Sequence, residues 1–425
     1  MRRRRGGRQS GQALVLGAIL LAFVVFGFLG FAVDLGRLYL IRGELHVAAE
    51  AMALAAAQEL IGTEDGMGRA EAAVNAIQAS GEGSEANKYD FGGATIGEGA
   101  GALISEVRAL ELYEKYTEAT DPEMDSLAPG PLARFVRVRV RAEAPLTFWQ
   151  LLPSGQSGVT MIETAAVAGP SAPLCSACGI EPLVVQPPDA QSPPDFGFLV
   201  DRKYTLYTQC TPGLPLALEG TSGSLPYTVL RRAVEGVGAG AAPLAQVFRA
   251  SAAGLPGPAW PLAEDTAACP TIAQPPELRA PQIVQRPCAT PLRDDVIRAT
   301  LCGLGARLTS IPAGPCADLA DQFDGLPPPD TPEEVDTYSE YEGNRRRILT
   351  VAVSISNLPL NVDGQIVIGG FRQFLLEPHP ASQEVNAADP FGRFVARYIG
   401  SAAPIKQGRV GSCGQTEGPG KVVLH

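Results

Sequence analysis

The pattern of apolar and polar positions begins with a 21-residue run without a charge, Ala13 to Val33. At ~1.5 Å of rise per residue, a helix over that run crosses the ~30 Å hydrocarbon core of a bilayer. Strong helix formers continue from Asp34 to Leu60 without a proline, and only Gly36 and Gly43 weaken the run. One continuous helix is therefore predicted, apolar all round in its first half and standing in water in its second. Arg69 to Ser80 predicts a second short helix with Ala73, Val74 and Ile77 on one side. After a glycine-rich loop from Gly81 to Gly101, strands are predicted at Ile104 to Tyr113, Phe135 to Arg141 and Val159 to Ala168. The middle one alternates with period two and carries one face of arginines. A connection from Pro145 to Pro153 joins the last two strands. A long N-terminal helix followed by a small antiparallel sheet is an α+β, pilin-like layout.

Farther on the pattern breaks into short pieces. Pro170 to Pro182 is a boundary, and prolines and glycines are dense from Pro182 to Pro329. Short strands are expected at Leu183 to Val185, Phe196 to Val200 and Lys203 to Thr208, and helical patches at Pro226 to Val234 and Leu292 to Gly305. The acidic run Asp330 to Glu342 lacks the Asp-x-Asp-x-Asp-Gly spacing of a calcium loop and is expected to be a solvated loop. Gly343 to Ile355 passes from charge into β-branched residues and predicts a buried strand. Asp363-Gly364 predicts a hairpin turn, Gln365 to Leu376 a further strand, and Phe391 to Ile399 a last strand before a glycine-rich tail. The expected division is a basic flank at 1–12, a transmembrane helix at 13–33, a helix-plus-sheet module at 34–169, and a β-rich, disulfide-braced exported domain at 170–425.

Charge and cysteine usage orient this chain. The net charge of −11 includes five arginines in the first eight residues, so the other residues carry −16. An acidic body excludes nucleic acid as the expected partner, because that partner requires a basic surface. The arginine cluster predicts a cytoplasmic N-terminus and an exported bulk. The apolar run is longer than a secretory h-region and reads as an uncleaved anchor; cleavage after Gly7, placing Gln12 fifth in a mature chain, is the prepilin-type alternative. All eight cysteines, Cys175, Cys178, Cys210, Cys269, Cys288, Cys302, Cys316 and Cys413, fall in the predicted exported part and read as disulfide candidates with 105 possible connectivities. Cys175-Ser-Ala-Cys178 leaves structural, redox and metal readings open. The chain has three histidines, His46, His379 and His425, and no nucleophile elbow, zinc-protease motif or phosphate loop. No catalytic residue, cofactor or metal is expected.

Asp34-Leu35-Gly36 followed by Leu45-His-Val-Ala-Ala-Glu-Ala-Met-Ala-Leu-Ala-Ala56 resembles the N-terminal segment of TadE/TadG-like proteins of Flp (tight adherence) pilus systems. His46, Glu50 and Met52 stand where that family usually has Gln, Asp and Ala. The strand pair with a Phe148-containing connector, and the Arg-Arg-led, Gly-Phe-x-x-Phe-Leu and Phe-Val strands near the end, are similar to TadG-like proteins at the level of pattern. The Asp-x-Ser-x-Ser metal motif of larger members is missing. The resemblance implies a single-pass inner-membrane accessory protein that acts through non-covalent contacts with the lipid bilayer and with other Tad/Flp pilus-assembly or pseudopilin subunits, without a small-molecule substrate. Asp34, Gly36, Leu45, Ala48, Ala49, Glu50 and Leu54 are the candidate helix-packing residues. Two readings of them stay open: contact with another helix through Asp34, Gly36 and the alanine stripe 48, 49, 51, 55 and 56, or packing of that stripe under the protein's own sheet, with Asp34 simply paired to Arg37. A membrane-tethered redox or hydrolytic enzyme is the alternative class.

Overall fold

The structure, a computed structural model, describes residues 10–79, 105–124, 128–146, 148–149, 159–178, 180–192, 194–208, 216–230, 282–285, 292–309, 314–323, 328–355, 364–378, 385–405, 407–411 and 417–425. Helix α1, Ser10–Glu59, runs unbroken for 50 residues. It ends where Gly62 takes φ +84°, a left-handed conformation that glycine adopts without a Cβ penalty. Helix α2, Gly66–Ala79, folds back and buries Ala70 and Val74 against α1. Ser105–Tyr113 (β1), Phe135–Pro145 (β2), Val159–Pro170 (β3) and the C-terminal Val422–Leu424 (β14) form a four-stranded sheet in the order β1-β2-β3-β14. All of its pairings are antiparallel.

The outer half of α1 lies across this sheet. Ile41, Leu45, Ala48, Ala49, Met52, Ala53, Ala56 and Ala57 recur at helical spacing and share one core with Val136, Val138, Val140, Ala142 and Ala144, which alternate along β2. Small residues on both surfaces bring backbone close to backbone, so the fit tolerates no added bulk. Ala49→Leu, at a fully buried position, is expected to cost ~1–3 kcal/mol, measured as a lowered urea midpoint. The arginine face of β2 is not a solvated stripe. Arg137 is 3% exposed; it pairs with Glu111, donates to the carbonyls of Asp121 and Met124, and lies 4.9 Å over the Tyr113 ring. It organises the turn around helix α3, Tyr116–Thr120.

The second body is built on a larger sheet. Its strands are β5 (Leu183–Val185), β6 (Lys203–Thr208), β7 (Ser224–Leu230), β8 (Gln282–Gln285), β9 (Ile348–Ser354), β10 (Gly364–Ile366), β11 (Ile368–Glu377) and β12 (Phe394–Gly400). The order is β10-β8-β7-β5-β9-β11-β12-β6, and β7 also pairs with β6. That last pairing closes β7, β5, β9, β11, β12 and β6 into a barrel and covers the edge that β6 would otherwise leave open. Alternate residues fill its interior: Leu349, Val351 and Val353 of β9, Phe374 and Leu376 of β11, Phe394, Ala396 and Tyr398 of β12. Helix α4, Leu292–Gly305, packs Val296, Ala299, Leu301 and Leu304 into the same core. Strand β4, Leu174–Cys178, pairs with β13, Gln407–Val410, and its Leu174 and Ala177 cover Val184, Ala352 and Phe371 on the barrel's outer face.

Several expectations need correction. Phe196 to Val200 is a turn, because Phe196 and Gly197 both take positive φ while Phe196 and Phe198 turn their rings into the core. Pro226 to Val234 is not helical as far as it is described: Leu225, Tyr227 and Val229 alternate into the barrel, and period-two burial prevails over weak helix propensity. Phe394–Gly400 is not the last strand, since β13 and β14 follow. The expected loop at 81–101 and residue 363 lie outside the described residues; Gly364 begins β10 and pairs with β8. The acidic run is solvated along its outer side but has buried anchors. Asp330 is 4% exposed and accepts from the Tyr341 hydroxyl and from the backbone N–H groups of Thr331 and Asn344.

That acidic segment also joins the two bodies. Tyr338 donates to the Ile61 carbonyl at 2.7 Å, and Arg345 donates to the Gln58 carbonyl at 2.7 Å and to Glu59 at 3.0 Å. A cation on the last carbonyls of a long helix complements its dipole. Ile61 packs with Tyr338, Tyr341, Ile399 and Ala402 beneath these bonds. The rod is thereby fixed to the barrel at its C-terminal end.

Candidate functional site

Helix α1 presents three surfaces. From Leu14 to Val33 its side chains are almost all exposed, with Leu14, Phe23, Phe26 and Phe28 above 70%. Length and composition suffice to cross a membrane. From Ile41 onward the inner face is covered by the sheet. The outer face of the same half stays open: Tyr39 is 81% exposed, Leu40 67% and Val47 54%, and a Cβ built on Gly36 or Gly43 meets nothing within 4 Å.

Asp34 marks the boundary between span and rod. Its carboxylate is 2% exposed and accepts the backbone N–H groups of Phe148 and Trp149, both at 2.9 Å. Hydrogen bonds to a charged acceptor contribute about 1.5–3 kcal/mol each. They hold the connector between β2 and β3 against the helix, where the Phe31 and Trp149 rings lie 5.6 Å apart. Gly30 is required at this contact, because a Cβ there falls 2.7 Å from the Phe148 ring.

The structure divides the candidate packing residues. Leu45, Ala48 and Ala49 are buried in the protein's own core, and Leu54 packs partly against it. Ala56 joins them while Ala51 is exposed. Gly36 faces outward. Glu50 is half-buried and lies 3.3 Å from His46, whose other ring nitrogen is 3.3 Å from the Thr164 hydroxyl on β3. The partnership of Asp34 with Phe148 and Trp149 is absent from the reading of the sequence. Its signal was present: a carboxylate at the end of an apolar span, and an aromatic dipeptide in the link between two alternating strands.

The cysteine motif has a geometric answer. Cys175 and Cys178 lie three residues apart on extended strand β4, so their Cα atoms are ~10 Å apart at ~3.3 Å per residue. A disulfide needs about 4.4–6.8 Å, so the pair cannot close on itself. Cys175 is disulfide-bonded, and Cys302 pairs with Cys316 across 14 residues. The other cysteines in the chain give no further pairing among the described residues. Among the described residues no group of three or more His, Cys, Asp or Glu is placed to hold a metal.

Buried charges in the barrel serve as scaffold. Glu377, 2% exposed, accepts from Arg347 at 2.8 Å and from Arg397 at 2.7 Å. The remaining guanidinium donors reach the carbonyls of Thr331, Glu333, Asp336 and Leu376. Burial raises the Glu377 pKa although both guanidiniums pull it down.

Residues 11–59 match the family model of Flp pilus-assembly TadE/G-like proteins. This stretch is a TadE/G-like segment. It coincides with α1 almost residue for residue. The comparison with curated proteins and that with solved structures found no match. The family match covers α1 and does not extend to the sheet beneath it or to the barrel.

Proposed function

We propose that the protein is a single-pass, membrane-anchored component of Flp (Tad) pilus assembly, with a cytoplasmic N-terminus and its sheet and barrel on the extracytoplasmic side of the inner membrane. It acts through non-covalent contacts with other pilus-assembly or pseudopilin subunits. The observation that carries this reading is the TadE/G-like match on a helix whose first half is apolar and exposed. The exported side accords with the arginine-rich N-terminal flank and with the cysteines that are joined in disulfides.

Of the candidate packing residues, the ones open to a partner lie on the outer face of α1: Gly36 at the membrane end and the exposed edge of Glu50 farther up, with Tyr39, Gly43 and Val47 between them. Leu45, Ala48, Ala49 and Leu54 act indirectly, by holding that face in place on the sheet. Asp34 fixes its lower end. Val47→Glu is expected to abolish co-purification with pilus-assembly subunits while leaving the melting temperature unchanged, since this side chain touches no core. Undiminished recovery and normal piliation would remove the outer face from the assembly. Gly43→Ala provides the matching stability readout: with open space around the Cβ, it is expected to stabilise the rod by about 1 kcal/mol, read by urea unfolding.

A further inference from the structure

We propose that the Phe148–Trp149 tip, clamped by Asp34, is a second membrane contact that sits in the lipid interface beside the emerging helix. This rests on the reading of α1 as a membrane span. Phe148 is 41% exposed, Trp149 38% and Phe31 42%, and together they widen the apolar surface of the span at its outer end, where Phe148 lies against Gly30 and Trp149 against Phe31. The occupant this surface fits is lipid, for three reasons on the molecule itself.

The tip is continuous with the exposed apolar run and lies at the depth where that run ends, the level at which Trp and Tyr side chains favour the headgroup boundary. Tyr39 follows five residues above Asp34, ~7.5 Å along the helix, and is 81% exposed. The backbone N–H groups of both tip residues are satisfied by Asp34, which lowers the penalty for bringing these two donors toward hydrocarbon. Finally, a carboxylate at the edge of hydrocarbon is costly unless hydrogen-bonded, and Asp34 is buried under two donors at that edge. The clamp thus fixes how far the rod stands out of the membrane and prevents the sheet from rocking about α1.

Trp149 is its own probe, since the chain's other tryptophan is Trp260. Full-length Trp260→Phe protein, reconstituted in phosphatidylcholine–phosphatidylglycerol vesicles, is expected to show Trp149 emission quenched severalfold more by lipid brominated near the headgroup than by lipid brominated at the chain ends. Asp34→Ala in that background is expected to remove most of the shallow quenching. A second protein carrying Phe23→Trp with Trp149→Phe and Trp260→Phe reports the span and should respond to the deep bromines. Quenching at residue 23 with none at Trp149 overturns the interfacial tip and leaves the span intact; no quenching at either position overturns both. Shallow quenching of Trp149 that persists unchanged in Asp34→Ala removes the clamp from the account.

Discussion

Glu377→Ala is expected to lower the unfolding free energy by ~3–5 kcal/mol, because it strips the shared carboxylate from two buried guanidiniums. Arg347 and Arg397 are 0% and 3% exposed, so neither recovers water in exchange. Much of the damage should spread along the acidic segment, because the same two arginines hold its carbonyls at Thr331, Glu333, Val335 and Asp336. That segment carries Tyr338 and leads directly into Arg345, and these two hold the end of α1. A single barrel substitution should therefore loosen the rod as well, visible as earlier proteolysis between residues 59 and 66 together with the lowered urea midpoint. A loss below ~1 kcal/mol would mean that water reaches the guanidiniums and that the cluster is not the joint's support.

The same carboxyl sets a pH trend. Burial raises the Glu377 pKa in the folded protein, so the native state binds its proton more tightly than the unfolded chain does. Stability from this site is then greatest below the ordinary carboxylate range and falls as pH rises through the raised value. Glu377→Gln removes the titration. The stability of wild type relative to Glu377→Gln should fall as pH rises from about 4.5 and level off above the raised pKa, as followed by urea midpoints across that range.

What could be read from the sequence tracks the strength of local periodicity. The α1 rod, β2, β3, β9 and α4 announce themselves because one rule, helical or alternating, holds over many residues. Phe196 to Val200 misleads because two aromatic side chains serve a turn as well as a strand once φ is positive at Phe196 and Gly197. Barrel closure was invisible, since it depends on β7 pairing with β6 in parallel, and no local pattern encodes a partner strand. The return of β14 to the first sheet was hidden for the same reason. At the candidate site the alanine stripe was legible, but whether it faces a partner or the protein's own sheet turned on Val136, Val138 and Val140, some ninety residues away in sequence. Asp34 was legible as a carboxylate at the end of the span, but the two backbone N–H groups it accepts lie more than a hundred residues away and carry no side-chain pattern of their own.

Removing the Cys302–Cys316 bridge, as Cys302→Ala with Cys316→Ala, is expected to cost about 3 kcal/mol, the loop-closure entropy of a link of this length. The bridge joins two elements inside the barrel core: α4, through Cys302 beside Leu301 and Leu304, and the short 3-10 helix Gly314–Phe323, through Cys316 beside Leu319. Both cysteines are below 10% exposed, so reductant should reach them only when the core opens. Native protein is then expected to resist a mild reductant and to lose the bridge only in denaturant. The compartment decides whether the bridge forms. A polypeptide produced in a reducing cytosol should hold both thiols free and unfold at the lower urea midpoint of the double variant, whereas membrane-targeted protein should match the bridged form. Equal midpoints for the two preparations would separate the barrel's stability from export and remove the bridge as support for an extracytoplasmic body.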